Sequence, residues 1–105
     1  MGEDARTVDR WLRRRLPTLL RRAAVDEAYL FGSWARGDAD ELSDIDLLIV
    51  APSRRPFVDR FRDYSFLRES PTGIDLLVYT PDEFARERRL NRFVRAVLRH
   101  ARRIV

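Results

Sequence analysis

Two short runs limit the fold more than anything else in this chain: "DIDLLIV" at 44–50 and "IDLLVYT" at 74–80. Both are rich in branched apolar residues and are bounded by turn formers, "APS" after the first and "SPTG" before the second, so they read as strands. Each nonetheless carries aspartate at or next to its first position, and aspartate is one of the residues most depleted from strands. Asp44 and Asp46 stand two apart, so in a strand their side chains leave the same face about 6.6 Å apart. Asp75 repeats the local pattern Ile-Asp-Leu-Leu. If the two strands are neighbours, three carboxylates converge on one face. At about 5 Å and an effective dielectric near 20, each pair repels by roughly 3 kcal/mol. A small domain has only about 5–15 kcal/mol of stability to set against that. A divalent cation gives the fullest relief, and carboxylate-rich oxygen sites suit Mg²⁺ or Mn²⁺. One such aspartate is most simply a strand end facing water; three at this spacing point to a site.

The segment before the acids supplies a complement. "EAYLF" at 27–31 reads as a strand ending at Gly32, and "SWARG" as a short helix opened by Gly32-Ser33 and closed by Gly37. Such a turn offers backbone N–H groups and the Ser33 hydroxyl to an anion. Arg36, one turn on, adds a charge-assisted bond to a phosphate oxygen. A Gly-Ser turn alone is most often only a tight turn; beside the acids it completes a phosphate-and-metal site.

The rest of the chain supports an α/β domain. From Ala5 to Ala23, apolar residues recur at Val8, Trp11, Leu12, Leu16, Leu19, Leu20 and Ala23, the spacing of an amphipathic helix. Pro17 either kinks it or restarts it, with both halves packing on one surface. Phe57, Phe61, Tyr64 and Leu67 repeat at helical spacing, and that stripe is expected to be core. "TPDEF" is a helix start, with Thr80 as cap, Pro81 in the first turn and Glu83 closing a capping box. Leu90, Phe93, Val94, Val97 and Leu98 continue that helix. The final "ARRIV" extends it or forms a short edge strand, and the strand is preferred. The expected fold is therefore one domain over 1–105, a small mixed sheet with helices packed mainly on one face.

Composition excludes several chemistries. There is no cysteine, so disulfides and thiolate metal sites are out. All 21 basic residues are arginine, which removes any P-loop or Schiff-base lysine and leaves guanidinium forks for phosphate or carboxylate contacts. A net charge of +4 suits anionic ligands or acidic partners without indicating nucleic acid. No apolar run approaches the roughly 20 residues of a membrane span. "MGEDART" lacks an apolar signal region, so a cytoplasmic location is expected. The arginine-rich first helix reads as a solvated face, His100 as a surface residue, and Tyr29, Tyr64 and Tyr79 as packing residues.

"FGSWARG…SDIDLLIV" with the later "IDLLVY" resembles the minimal nucleotidyltransferases of the DNA polymerase beta superfamily. Their signature is an apolar residue, Gly-Ser, a gap of about ten residues, Asp-x-Asp, and a third aspartate on a following strand. The likeness runs from about Val25 to the C-terminus. Ala35-Arg36-Gly37 after the Gly-Ser pair is typical of the small antitoxin-type members, which pair with HEPN-domain toxins and in some cases adenylylate them on tyrosine. The resemblance implies that Gly32, Ser33 and Arg36 hold the triphosphate of ATP or another nucleotide. It implies that Asp44, Asp46 and Asp75 bind two Mg²⁺ ions, with Mn²⁺ as a substitute, and that Asp75 helps deprotonate the acceptor hydroxyl. Trp34 falls at a variable position. No separate base-recognition domain follows, so the surface that reads the base is left unassigned. Two other readings stand beside this one: an antitoxin that neutralises its toxin by binding alone, and a small arginine-rich nucleic-acid-binding protein.

Overall fold

The structure is a computed structural model and describes residues 4–105. The N-terminal helix does restart at the proline. Helix α1 spans Ala5–Arg14, capped by Asp4, and α2 spans Leu16–Arg22 with Pro17 in its first turn. Val8, Leu12, Leu16, Leu19 and Leu20 from both halves enter one core, so the apolar phase carries across the break. β1 (Glu27–Phe31), the single turn α3 (Ser33–Arg36) and β2 (Ile45–Val50) follow. A 3-10 helix spans Phe57–Glu69, and after it come β3 (Ile74–Tyr79), α4 (Pro81–Leu90), α5 (Arg92–His100) and β4 (Arg102–Arg103).

The four strands lie in the order β3-β2-β1-β4. β2 and β3 are parallel, while β1 runs antiparallel to both β2 and β4, so the sheet is mixed. The C-terminal residues thus form the edge strand rather than more helix. Alternation along the strands splits the apolar residues between two faces. Leu30, Ile45, Leu47, Ile49 and Val78 pack against α1, α2 and the 3-10 helix. Leu48 and Val50 pack on the other side with Phe84 of α4 and Val94 and Val97 of α5. The expectation that helices lie mainly on one face is therefore corrected to helices on both, because β2 is apolar at both parities and needs two covers.

Two further expectations change. The helix after Thr80 keeps its capping box, with Thr80 Oγ1 accepting from Glu83 N–H and Glu83 Oε1 accepting from Thr80 N–H. It does not continue to Leu98, because Asn91 is extended and caps a new helix, its side chain accepting from Phe93 and Val94 N–H. The Phe57–Leu67 stripe is not core: Phe57 and Phe61 are exposed and only Leu67 of the four is buried. The segment is interrupted at Tyr64 (φ −119°, ψ 27°), so the four side chains do not continue along one buried helical face. The buried residue in its place is Arg60. Its guanidinium donates to the carbonyls of Arg55 and Val78 and to both oxygens of Glu83.

Candidate active site at the end of the sheet

The pairing of β2 with β3 sets Asp46 directly opposite Asp75, and the pairing of β1 with β2 sets Phe31 opposite Asp46. Phe31, Asp46 and Asp75 therefore form one row across three strands, on the face that α4 and α5 cover further along. Neighbouring strands lie about 4.8 Å apart, so the two carboxylates are forced close. Asp44 stands one residue before β2 and is exposed, as is Asp75; Asp46 is half-buried. Burial pushes the Asp46 carboxyl above its ordinary value, and the charges of Asp75 and Asp44 and a hydrogen bond with Asp75 push it further; Arg36 pulls the other way.

Glycines give these acids room. Gly32 ends β1 with φ +72°, and a Cβ there would sit 2.1 Å from Asp46 Oδ2. Gly73 precedes β3, and a Cβ there would sit 2.7 Å from Asp44 Oδ1. Gly32 therefore answers two demands at once, a left-handed turn and a carboxylate against its backbone. Ser33 opens α3, whose first N–H groups have no partner within the turn. The Trp34 indole N–H donates to the Ser43 carbonyl at 3.0 Å, tying α3 to the loop that delivers Asp44. Trp34 thus packs rather than faces a ligand. Arg36 spends one nitrogen on Asp38 at 3.4 Å and keeps about half of its side chain exposed.

All six residues singled out from the sequence thus gather at one end of the sheet, in two arcs. Gly32, Ser33 and Arg36 form the turn, and Asp44, Asp46 and Asp75 form the acid row. Among the described residues, no three His, Cys, Asp or Glu side chains are close enough to hold a metal ion by themselves. The donor set still fits Mg²⁺ or Mn²⁺, being all carboxylate oxygen. Mg²⁺ is commonly bound through one or two carboxylates, with substrate phosphates and water completing the shell. Sequence reasoning passed over Gly73, whose signal was a glycine one residue before Ile74-Asp75. It also passed over Phe31, whose place beside Asp46 follows only from the strand register. A cavity of about 450 Å³ between the 3-10 helix and β3, walled by Phe61, Tyr64 and Leu67, meets this end of the sheet at Gly73.

Comparison with known proteins decides the family. The family described as "Nucleotidyltransferase domain" matches residues 10–71. The chain is a nucleotidyltransferase-domain protein. That match takes in Gly32, Ser33, Asp44 and Asp46 and stops short of Asp75, so Asp75 joins the row through register alone. A provisionally named nucleotidyltransferase from Sulfolobus solfataricus has the same fold, with 28% identity, a TM-score of 0.59 and 82% of each chain covered. A toxin-antitoxin protein solved with AMP-PNP superposes with a TM-score of 0.58 over 84% of this chain and 68% of that one. Its 22% identity bears on the fold alone. No curated protein matches the sequence.

Proposed function

We propose that residues 1–105 form one minimal nucleotidyltransferase domain that works in the cytoplasm as an antitoxin, moving AMP from ATP to a hydroxyl, a tyrosine, of a partner HEPN-type toxin. The observation that carries the reading is the Asp46–Asp75 register pair set against the Gly32 turn. Family membership supports nucleotidyl transfer in general, and the likeness to a toxin-antitoxin structure motivates the choice of acceptor.

In this reading Gly32 and Ser33 take the β- and γ-phosphates on backbone N–H groups and the Ser33 hydroxyl, and Arg36 adds its charge. Asp44, Asp46 and Asp75 hold two Mg²⁺ ions, which when bound neutralise charge around the α-phosphate. Asp75 accepts the proton of the acceptor hydroxyl. The acceptor oxygen bonds to the α-phosphorus, the bond from that phosphorus to the bridging oxygen of the β-phosphate breaks, and pyrophosphate leaves.

The test uses ATP labelled at the α-phosphate, with γ-labelled ATP in parallel, Mg²⁺ and the candidate toxin. Label from the α-position alone on the toxin, lost with Asp46→Asn, is the expected result. The variant should fall by about a hundred- to a thousandfold, the scale of removing an electrostatic group from a catalytic centre. Transfer undiminished in Asp46→Asn overturns the assignment. A stable complex with no label from either nucleotide moves the function to neutralisation by binding. The nucleic-acid reading instead expects affinity that falls steeply with salt, and binding undetectable at low salt removes it.

A further inference from the structure

The acid row continues, through Phe31, to a ring that has no structural reason to be exposed. Phe93 packs edge-to-face on Phe31, with ring centroids 6.4 Å apart and planes at 84°, yet it stays 55% exposed. Its neighbours on α5, Val94 and Val97, are buried and hold the helix to the sheet. Asn91 fixes the first turn by accepting from Phe93 N–H at 2.9 Å, so the ring is carried on a rigid element. Phe31 lies opposite Asp46 on one side and precedes the Gly32 turn along the chain. Directly opposed side chains on antiparallel strands have Cβ atoms about 5 Å apart. Phe93 is thus linked to Asp46 through a single intervening ring. Within four residues of it in the chain, Arg89, Arg92 and Arg95 are exposed and make no ion pair among the described residues.

From this we infer that Phe93, braced by Phe31, is the platform on which the base of the bound nucleoside triphosphate stacks. The inference rests on the nucleotidyltransferase reading and supplies the base-binding surface that reading lacks. A half-exposed ring held edge-on by a second one keeps area free for a flat ligand, and aromatic stacking is tolerant of base identity because every base has a π-face. Stacking of this kind favours large flat bases over small ones and reads no base edge, so it distinguishes adenine from guanine only weakly.

Titration calorimetry with Mg²⁺ separates this from the parent reading. ATP and inorganic tripolyphosphate are titrated into the wild type, Phe93→Ala, Phe93→Tyr and Leu90→Ala. Leu90 is 69% exposed at the same helix corner but has no aromatic face. Phe93→Ala should weaken ATP by about five- to a hundredfold. Tripolyphosphate affinity should not change, Phe93→Tyr should restore ATP binding, and Leu90→Ala should match the wild type. Equal ATP affinity in wild type and Phe93→Ala overturns the platform while leaving phosphate binding intact. Loss of affinity for a protein partner in Phe93→Ala, with ATP unaffected, assigns the ring to docking instead. A wild type that binds neither ATP nor tripolyphosphate overturns both this inference and the nucleotidyltransferase site itself.

Discussion

At the start of β3, Asp75 faces Asp46 across the strand gap, and burial and like charge push the Asp46 carboxyl up. Near its far end, the Val78 carbonyl and Glu83 hold the buried Arg60, and that guanidinium pulls Glu83 from its ordinary 4.5 down to about 2. Both clusters combine strand-borne groups with burial, and their charges are arranged oppositely. At the far end each nitrogen of a buried cation finds an acceptor, so the ion pair fastens the 3-10 helix and α4 to the sheet. At the near end like charges are crowded, the arrangement that the proposed metal–nucleotide site calls for. One end supports the fold and the other draws on it.

The largest structural effect is expected at the supporting end. Arg60→Met leaves Glu83 without its partner and removes the anchor to Val78. Breaking a buried pair costs about 3–5 kcal/mol, and the low end, about 3 kcal/mol, applies because Glu83 still reaches water. The sign with pH follows from the lowered carboxyl. The stabilisation is fully present above pH 4.5 and is lost as pH falls from there towards about 2. Urea midpoints measured between pH 7 and pH 2 should show a steep acid loss in the wild type and a shallower one in the variant. Parallel curves would mean that Arg60 does not hold Glu83 ionised.

Gly32→Ala and Gly37→Ala sharpen the contrast at the near end. Both glycines have positive φ, +72° and +88°, so both substitutions carry backbone strain of about 1–3 kcal/mol. Only at Gly32 does the new Cβ also meet Asp46 Oδ2; at Gly37 it meets nothing within 4 Å. Gly32→Ala should therefore abolish nucleotidyl transfer and melt lower than Gly37→Ala. Equal melting points would show that the carboxylate simply turns aside.

Much of this was legible in the sequence. The apolar runs of β1, β2 and β3 marked the strands, and Thr80, Pro81 and Glu83 marked the start of α4, because these are local signals with local causes. The break at Asn91 was overlooked, since the apolar spacing runs through it and only the cap geometry reveals a new helix. Arg60 was invisible because an arginine in a charged segment looks solvated until its partners, 18 and 23 residues away, are known. The site divides the same way. Gly32-Ser33 and Asp44-x-Asp46 could be read from spacing, whereas Asp46 opposite Asp75, Phe31 beside them and Phe93 beyond depend on strand order and helix placement.

The smallest effect tests whether the acid row draws on stability at all. A folded-state carboxyl held above its ordinary value binds its proton more tightly in the native state than in the unfolded one. Stability then falls as pH rises from the ordinary value of 3.8 through the raised one, and above that the fold carries the penalty of an ionised Asp46. Asp46→Asn removes that penalty with little change of shape. In EDTA at pH 7 the variant should melt a few degrees above the wild type, while below pH 3.8 the two should converge, because the wild-type carboxyl is then protonated as well. Saturating Mg²⁺ and ATP should reverse the order at pH 7, since only the wild type gains the binding energy of cations at that position. An Asp46→Asn variant less stable than the wild type in EDTA would mean that the carboxylate supports the fold, and the two ends of β3 would then be built alike.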